Sequence, residues 1–138
     1  MKFLVLVKAS AESEAGTPPT PELLSEMMKF NEELMKAGVL LDLGGLQPSS
    51  QAVRIKIDGK SRKVVDGPFS ETKELVAGYW LIQVKSREEA IEWIKRCPNP
   101  TNAQGEIEIR PLFEMTDFPH ATTDTVERAA KIDQQIKR

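Results

Sequence analysis

Apolar and polar residues recur with two different periods along this chain, and the switches between those periods lay out its elements. Lys2-Phe-Leu-Val-Leu-Val-Lys8 is a β-rich apolar run without alternation, which suits a strand in the middle of a sheet covered on both faces. Ala9 to Pro19 is small, acidic and proline-bearing, and reads as an exposed loop and candidate lid. Thr20-Pro21 then sets a capping hydroxyl before a first-turn proline. Leu23, Leu24, Met27, Met28, Asn31, Leu34 and Met35 follow at helical spacing until Gly38, which fits the left-handed position after a helix. Val39 to Leu46 is a second strand, and Gly44-Gly45 within it signals a bulge or a close backbone approach.

Val53, Ile55 and Ile57 alternate with Arg54 and Lys56, and Asp58-Gly59 leads into Lys60 to Val65, so residues 52 to 65 predict a tight β-hairpin. Asp66 to Glu74 breaks both periods and forms a loop, after which Val76 to Val84 is a strand rich in aromatic and branched residues. Ser86-Arg-Glu-Glu89 is a capping box that opens a second helix, whose stripe of Ala90, Ile91, Ile94 and Cys97 runs to Pro98. Asn99 to Gly105 is loop. In Glu106 to Phe113, Ile107 and Ile109 alternate with Glu106, Glu108 and Arg110, giving a strand with one apolar and one charged face. Residues 123 to 137 carry a weak amphipathic pattern through Val126, Ala129, Ala130, Ile132 and Ile136.

This order predicts an α+β fold, a ferredoxin-like βαββαβ plan with an added β-hairpin, in one domain over residues 1–118. Residues 119–138 form a C-terminal tail with a possible helix. Two helices cover one face of such a sheet. Leu4, Leu6, Tyr79 or Trp80, and Leu81 leave more apolar surface than those helices can hide, which favours a face-to-face homodimer.

Composition narrows the chemistry more than the fold. The 138 residues suit one domain, and 40% hydrophobic and 29% charged residues with a net charge of −2 describe an ordinary globular chain. Nucleic acid is not the expected partner. The basic set Arg54, Lys56, Lys60, Arg62 and Lys63 on the hairpin reads as a solvated edge, since no aromatic residue interleaves with it. Phe3 to Val7 is too short for a signal-peptide core or a membrane span, so no membrane association and a cytoplasmic location are expected. One His and one Cys exclude a Cys/His zinc knuckle and an intrachain disulfide framework; no cofactor or metal is expected. Cys97 reads as a small buried hydrophobe, and His120 stands in a polar linker beyond the last strand.

Several ordered motifs carry a family likeness. Val65-Asp66-Gly67-Pro68-Phe69-Ser70-Glu71-Thr72-Lys73-Glu74 is followed by Gly78-Tyr79-Trp80, then Glu89-Ala90-Ile91-Glu92-Trp93 and Glu106-Ile107-Glu108-Ile109-Arg110-Pro111. Together they resemble the YCII-related, DGPF-domain family from Met1 to about Phe118. The resemblance implies a dimeric α+β barrel and an association with transcription regulation through alternative sigma factors. It also implies, in some members, a catalytic His and Asp pair. This chain has no histidine between Met1 and Pro119 and reads Gly45-Leu46-Gln47-Pro48 and Pro98-Asn99-Pro100-Thr101 where similar members carry histidine.

The candidate site residues are therefore carboxylates and their neighbours. Asp66 and Glu108 are the catalytic candidates, Asp66 beside a Gly-Pro turn and Glu108 on the charged face of the last strand. Arg110 lies on that same face and can clamp an anion bidentately. Glu71 and Lys73 offer a mixed-charge loop; Gln47, which hydrogen-bonds but is no base near neutral pH, and Trp80 complete the ligand-binding set. Gly67, Pro68 and Phe69 shape and anchor the loop. Two readings follow. One is a homodimeric small-molecule-binding or regulatory protein with a cleft between elements. The alternative is a small cleft enzyme performing carboxylate acid and base chemistry on a polar small molecule, with Asp66, Glu108 and Arg110 as base, orienter and clamp; whether the chain is an enzyme stays open.

Overall fold

The computed structural model describes residues 1–101 and 104–136. Asn102 and Ala103 of the expected loop and Lys137 of the expected tail helix lie outside the described residues. Among the described residues six strands are present: β1 (Lys2–Lys8), β2 (Leu40–Gly45), β3 (Val53–Asp58), β4 (Ser61–Asp66), β5 (Val76–Gln83) and β6 (Ile107–Pro111). Four α-helices accompany them among the described residues: α1 (Ala11–Glu14), α2 (Pro21–Lys36), α3 (Arg87–Ile94) and α4 (Thr123–Ile136).

Four strands form an antiparallel sheet in the order β2-β5-β1-β6, and β3 pairs only with β4 in a separate two-stranded sheet. The element order read from the sequence is present. The expected α+β barrel is not, because β2 and β6 are open edges of the sheet and the hairpin adds no strand to either. Closing a sheet on itself at a width that side chains can fill takes about eight strands, and four fall well short.

The helix boundaries follow their caps. Thr20 Oγ1 accepts the Leu23 N–H at 3.1 Å with Pro21 in the first turn, and α2 ends in a Schellman arrangement. There Gly38 (φ 74°) donates to Met35 and Val39 donates to Leu34. Ser86 caps α3 by accepting the Glu89 N–H, while the Glu89 carboxylate reaches back one residue further than a capping box requires, to the Lys85 N–H at 2.8 Å. The segment expected as a loose lid contains α1, closed by reciprocal bonds between Ser10 and Ser13.

Side chains cross the sheet in rows. On the face covered by α2 and α3, Leu40, Ile82, Phe3 and Pro111 form one row and Leu43, Trp80, Val5 and Ile109 the next. A third row consists of Gly45, Gly78, Val7 and Ile107. Phe3, Val5, Trp80 and Ile82 pack there with Phe30, Leu34, Ala90 and Ile94 into the core. Phe30 and Trp80 meet edge to face at 5.5 Å, and Trp80 Nε1 donates to Asn31 Oδ1 at 2.8 Å. The opposite face carries Leu4, Leu6, Tyr79 and Leu81, and there β1 departs from expectation: Leu4 and Leu6 keep part of their surface in solvent.

The Asp-Gly-Pro-Phe segment packs on the turn at Ser49–Gln51. A Cβ at Gly67 would overlap the Ser49 carbonyl oxygen, so only glycine lets the two backbones approach; the Gly67-Pro68 peptide is cis. Ser49 is buried, its hydroxyl donating to Glu14 at 2.5 Å and accepting the Phe69 N–H at 3.0 Å. The Ser49 N–H also donates to the Glu14 carboxylate. Phe69 in turn lies under Arg54 of β3, with the guanidinium carbon 3.6 Å from the ring centroid. One serine thereby connects α1, the Asp66–Glu74 loop and, through Phe69, the hairpin.

Replacing Gly67 with Ala is expected to cost about 2–4 kcal/mol by the overlap it forces, and Ser49→Ala about 1–3 kcal/mol by removing the hydroxyl that the Glu14 carboxylate and the Phe69 N–H share. Gly45→Ala, where an added Cβ meets nothing within 4 Å, is the neutral comparison. Urea unfolding of the three variants measures this, and a Gly67→Ala protein as stable as Gly45→Ala contradicts the packing. Cys97 gives a pH prediction. Burial pushes its thiol up from 9.0 to about 11, so the folded chain holds a proton that the unfolded chain has lost. Stability then falls as pH rises from about 9 to about 11, and Cys97→Ala removes that component of the alkaline decline in denaturation curves.

Candidate functional site

The hollow under α2 begins with missing side chains. Gly45 and Gly78 stand opposite each other in the third row of the helix-covered face, so a space two side chains wide opens where the neighbouring row carries Leu43 and Trp80. The bottom of a cavity of about 380 Å³ lies there. Leu23, Met27 and Met28 of α2 form one wall, β2 and β5 form the floor, and the chain from Ser10 to Thr20 forms the rim. Trp80, 5% exposed, is the aromatic part of the lining and is held by its bond to Asn31. Gly78 is itself buried, and a Cβ on it would lie 3.2 Å from the Gly44 carbonyl oxygen, tighter than an ordinary contact.

Two further cavities are larger in volume and less suited to a ligand. One of about 570 Å³ is lined by Glu14, Gln47, Ser49, Arg54 and Phe69 among others. Glu14 is already bonded to Ser49 there, and the Arg54 guanidinium already stacks over Phe69. Another of about 520 Å³ lies between Met1, Lys2, the Leu112–Thr116 segment and Val126, Ala129 and Ala130 of α4. We place the candidate site in the smaller, apolar cavity, whose walls come from both layers of the fold.

The residues singled out from the sequence are dispersed. Trp80 lines the apolar cavity and Gln47 the one beside Ser49. Glu108 and Arg110 are joined on β6, Arg110 Nε to Glu108 Oε2 at 3.0 Å, while Lys8 lies 3.7 Å from Glu108 Oε1. Both oxygens of that carboxylate therefore face a cation, on the sheet face away from α2. Asp66 is exposed at the end of β4, and Glu71 and Lys73 are exposed at the Thr72–Glu74 turn. Asp66, Glu108 and Arg110 line none of the three cavities, so the structure does not bring base, orienter and clamp to one point. Gly67, Pro68 and Phe69 sit at the Ser49 node, with Phe69 alone reaching a cavity wall.

The basic residues of the hairpin stand on a ribbon exposed along its length, and Lys56 and Lys63 face each other across it. Val53, Ile55, Ile57 and Val64 are exposed on the ribbon as well. On the open face of the large sheet, Tyr79 Oη donates to Asp42 Oδ2 at 3.1 Å, and that bond is the main reason the phenol is held above its usual value. Gly44 makes this possible, since a Cβ there would lie 2.9 Å from the Tyr79 ring.

Sequence reasoning missed the Glu14–Ser49 bond and the facing glycines. The first left no signal, because 35 residues separate the partners. The second left a partial one: Gly44-Gly45 and Gly78 were each visible, but their register was not. Among the described residues no group of three or more His, Cys, Asp or Glu gathers to hold a metal ion, and no helix is long and apolar enough to cross a membrane.

Comparison with known proteins agrees with the motifs quoted above. An uncharacterised protein of Rhizobium meliloti (strain 1021), R00369, is 30% identical over 90 residues, which cover 65% of this chain and 73% of that protein. The YCII-related domain matches residues 1–116, which take in β1 through β6 and the Ser49 node. The chain belongs to the YCII-related domain family.

Proposed function

We propose that this protein binds a small molecule in the cleft between α2 and the β2–β5 edge, and that it does so as a homodimer. The observation that carries the reading is the apolar cavity of about 380 Å³ floored by Gly45 and Gly78. A sheet row normally fills such space with side chains, because packed interiors leave few voids larger than a water molecule. An apolar hollow of ligand size beside an oriented Trp80 is what a preformed binding site needs. The family's association with transcription makes ligand-dependent regulation the natural setting. Acid and base chemistry has no comparable support, since its three residues stand apart.

Support for the dimer comes from the sheet face that neither α2 nor α3 covers. Leu4, Leu6 and Tyr79 remain part exposed there, with Asp42 at the β2 edge and the Glu108–Arg110 pair at the β6 edge. That is an apolar centre with a charged rim, the composition of a protein interface.

A thermal-shift screen of a mixed fragment library tests the ligand. A compound at about 100 times its Kd adds about 2.7 kcal/mol of stability. Gly45→Leu fills the hollow from a position with no neighbour within 4 Å, so it should fold normally and lose the hits. A library without hits, or hits that survive Gly45→Leu, contradicts the site. For the dimer, light scattering should give about twice 15.4 kDa at micromolar concentration, and Leu6→Arg should shift it towards one chain. A wild-type monomer under those conditions rules the assembly out.

A further inference from the structure

We infer that the cleft selects small uncharged or cationic molecules with an apolar ring body and rejects anions, and that Glu12 gives amines their advantage; this rests on the cleft reading above. The argument starts from the ionisable groups of the lining. Glu12 is the one such side chain, since the Tyr79 phenol bonds Asp42 on the opposite face of the sheet, and no Lys, Arg or His is among the lining residues. A carboxylate or phosphate entering the cavity would surrender its hydration with no cation to replace it, which is costly in an apolar pocket. Esters of phosphate, nucleotides and simple carboxylic acids are thereby disfavoured as a class.

The walls also say what is favoured. The volume lies near the lower end of the range for small-molecule sites, which fits one or two fused rings. Met27 and Met28 offer adaptable, polarisable contact to a ring, and Trp80 offers an aromatic neighbour. Asn31, also in the lining, has its Oδ1 engaged by Trp80 Nε1, which fixes both the indole and the amide. Glu12 is exposed at the rim on α1 and has no cation within ion-pair distance among the described residues. An ammonium group on a ligand whose ring occupies the cavity would meet it while staying hydrated, as a rim contact does.

Three matched probes test this by isothermal titration calorimetry at neutral pH: indole, tryptamine and indole-3-acetate. Indole should bind, tryptamine should bind about two- to fivefold tighter, as an exposed ion pair allows. Indole-3-acetate should bind at least about tenfold more weakly than indole. Glu12→Gln should bring tryptamine to the level of indole and leave indole unchanged. Binding of indole-3-acetate as tightly as indole, an amine advantage that survives Glu12→Gln, or no binding by any of the three overturns the inference. The cleft reading falls separately: library hits abolished by Gly45→Leu keep it standing even when the charge preference fails.

Discussion

Everything around the cleft depends on how closely the Gly67 backbone sits against the turn at Ser49. That approach brings the Phe69 N–H within 3.0 Å of the Ser49 hydroxyl, and the same hydroxyl is then committed to Glu14. α1 has four residues and none of them is buried, so propensity alone would not hold it in place. Its position comes from the Glu14 carboxylate taking two donors from one buried serine. The rim of the cleft is thus built from a polar node on the far side of α1. The Asp-Gly-Pro-Phe segment contributes to the site by holding one of its walls, and its acidic residue stays at the surface.

The sequence made the order of elements legible because each boundary has a local cause: Thr20 and Gly38 around α2, Ser86 before α3, Asp58-Gly59 between β3 and β4. Those signals act over a few residues. The barrel expectation failed at longer range. Which strands sit at the sheet edges, and whether the hairpin joins them, depends on pairing between distant segments, and β3 and β4 pair with each other in a sheet of their own. The separation of the three candidate residues within one chain has the same origin. Asp66, Glu108 and Arg110 are chemically suited to one another, yet residue type says nothing of whether β4 and β6 share a sheet, and they do not.

What replaces them is a site defined by what is missing from it. Gly45 and Gly78 are conspicuous in a strand, where glycine packs nothing and loses entropy on folding. Gly78 is explained in part by its approach to the Gly44 carbonyl oxygen, but the bulge expected at Gly44-Gly45 is not there, the irregularity of β2 lying between Leu40 and Asp42. Set opposite each other beneath α2, Gly45 and Gly78 remove two side chains from one spot, and no neighbour moves in. Met27, Met28 and Leu23 are long enough to have closed a smaller gap; this one persists because both glycines face the same space.

The absence of histidine from residues 1–119 takes a different meaning in this light. A His-dependent mechanism carried over from relatives would need an imidazole near a carboxylate, and here the one carboxylate on the cleft rim, Glu12, has no such neighbour. The strand that floors the cleft also reaches the other side of the sheet. Tyr79 and Trp80 are consecutive in β5, Trp80 turned to the cleft and Tyr79 to the open face, where it bonds Asp42. A displacement of β5 by a ligand against Trp80 would therefore move the Tyr79–Asp42 pair on the face proposed for the second chain. A sheet one residue thick leaves little between those events, so a molecule in the proposed cleft would be physically close to the proposed assembly.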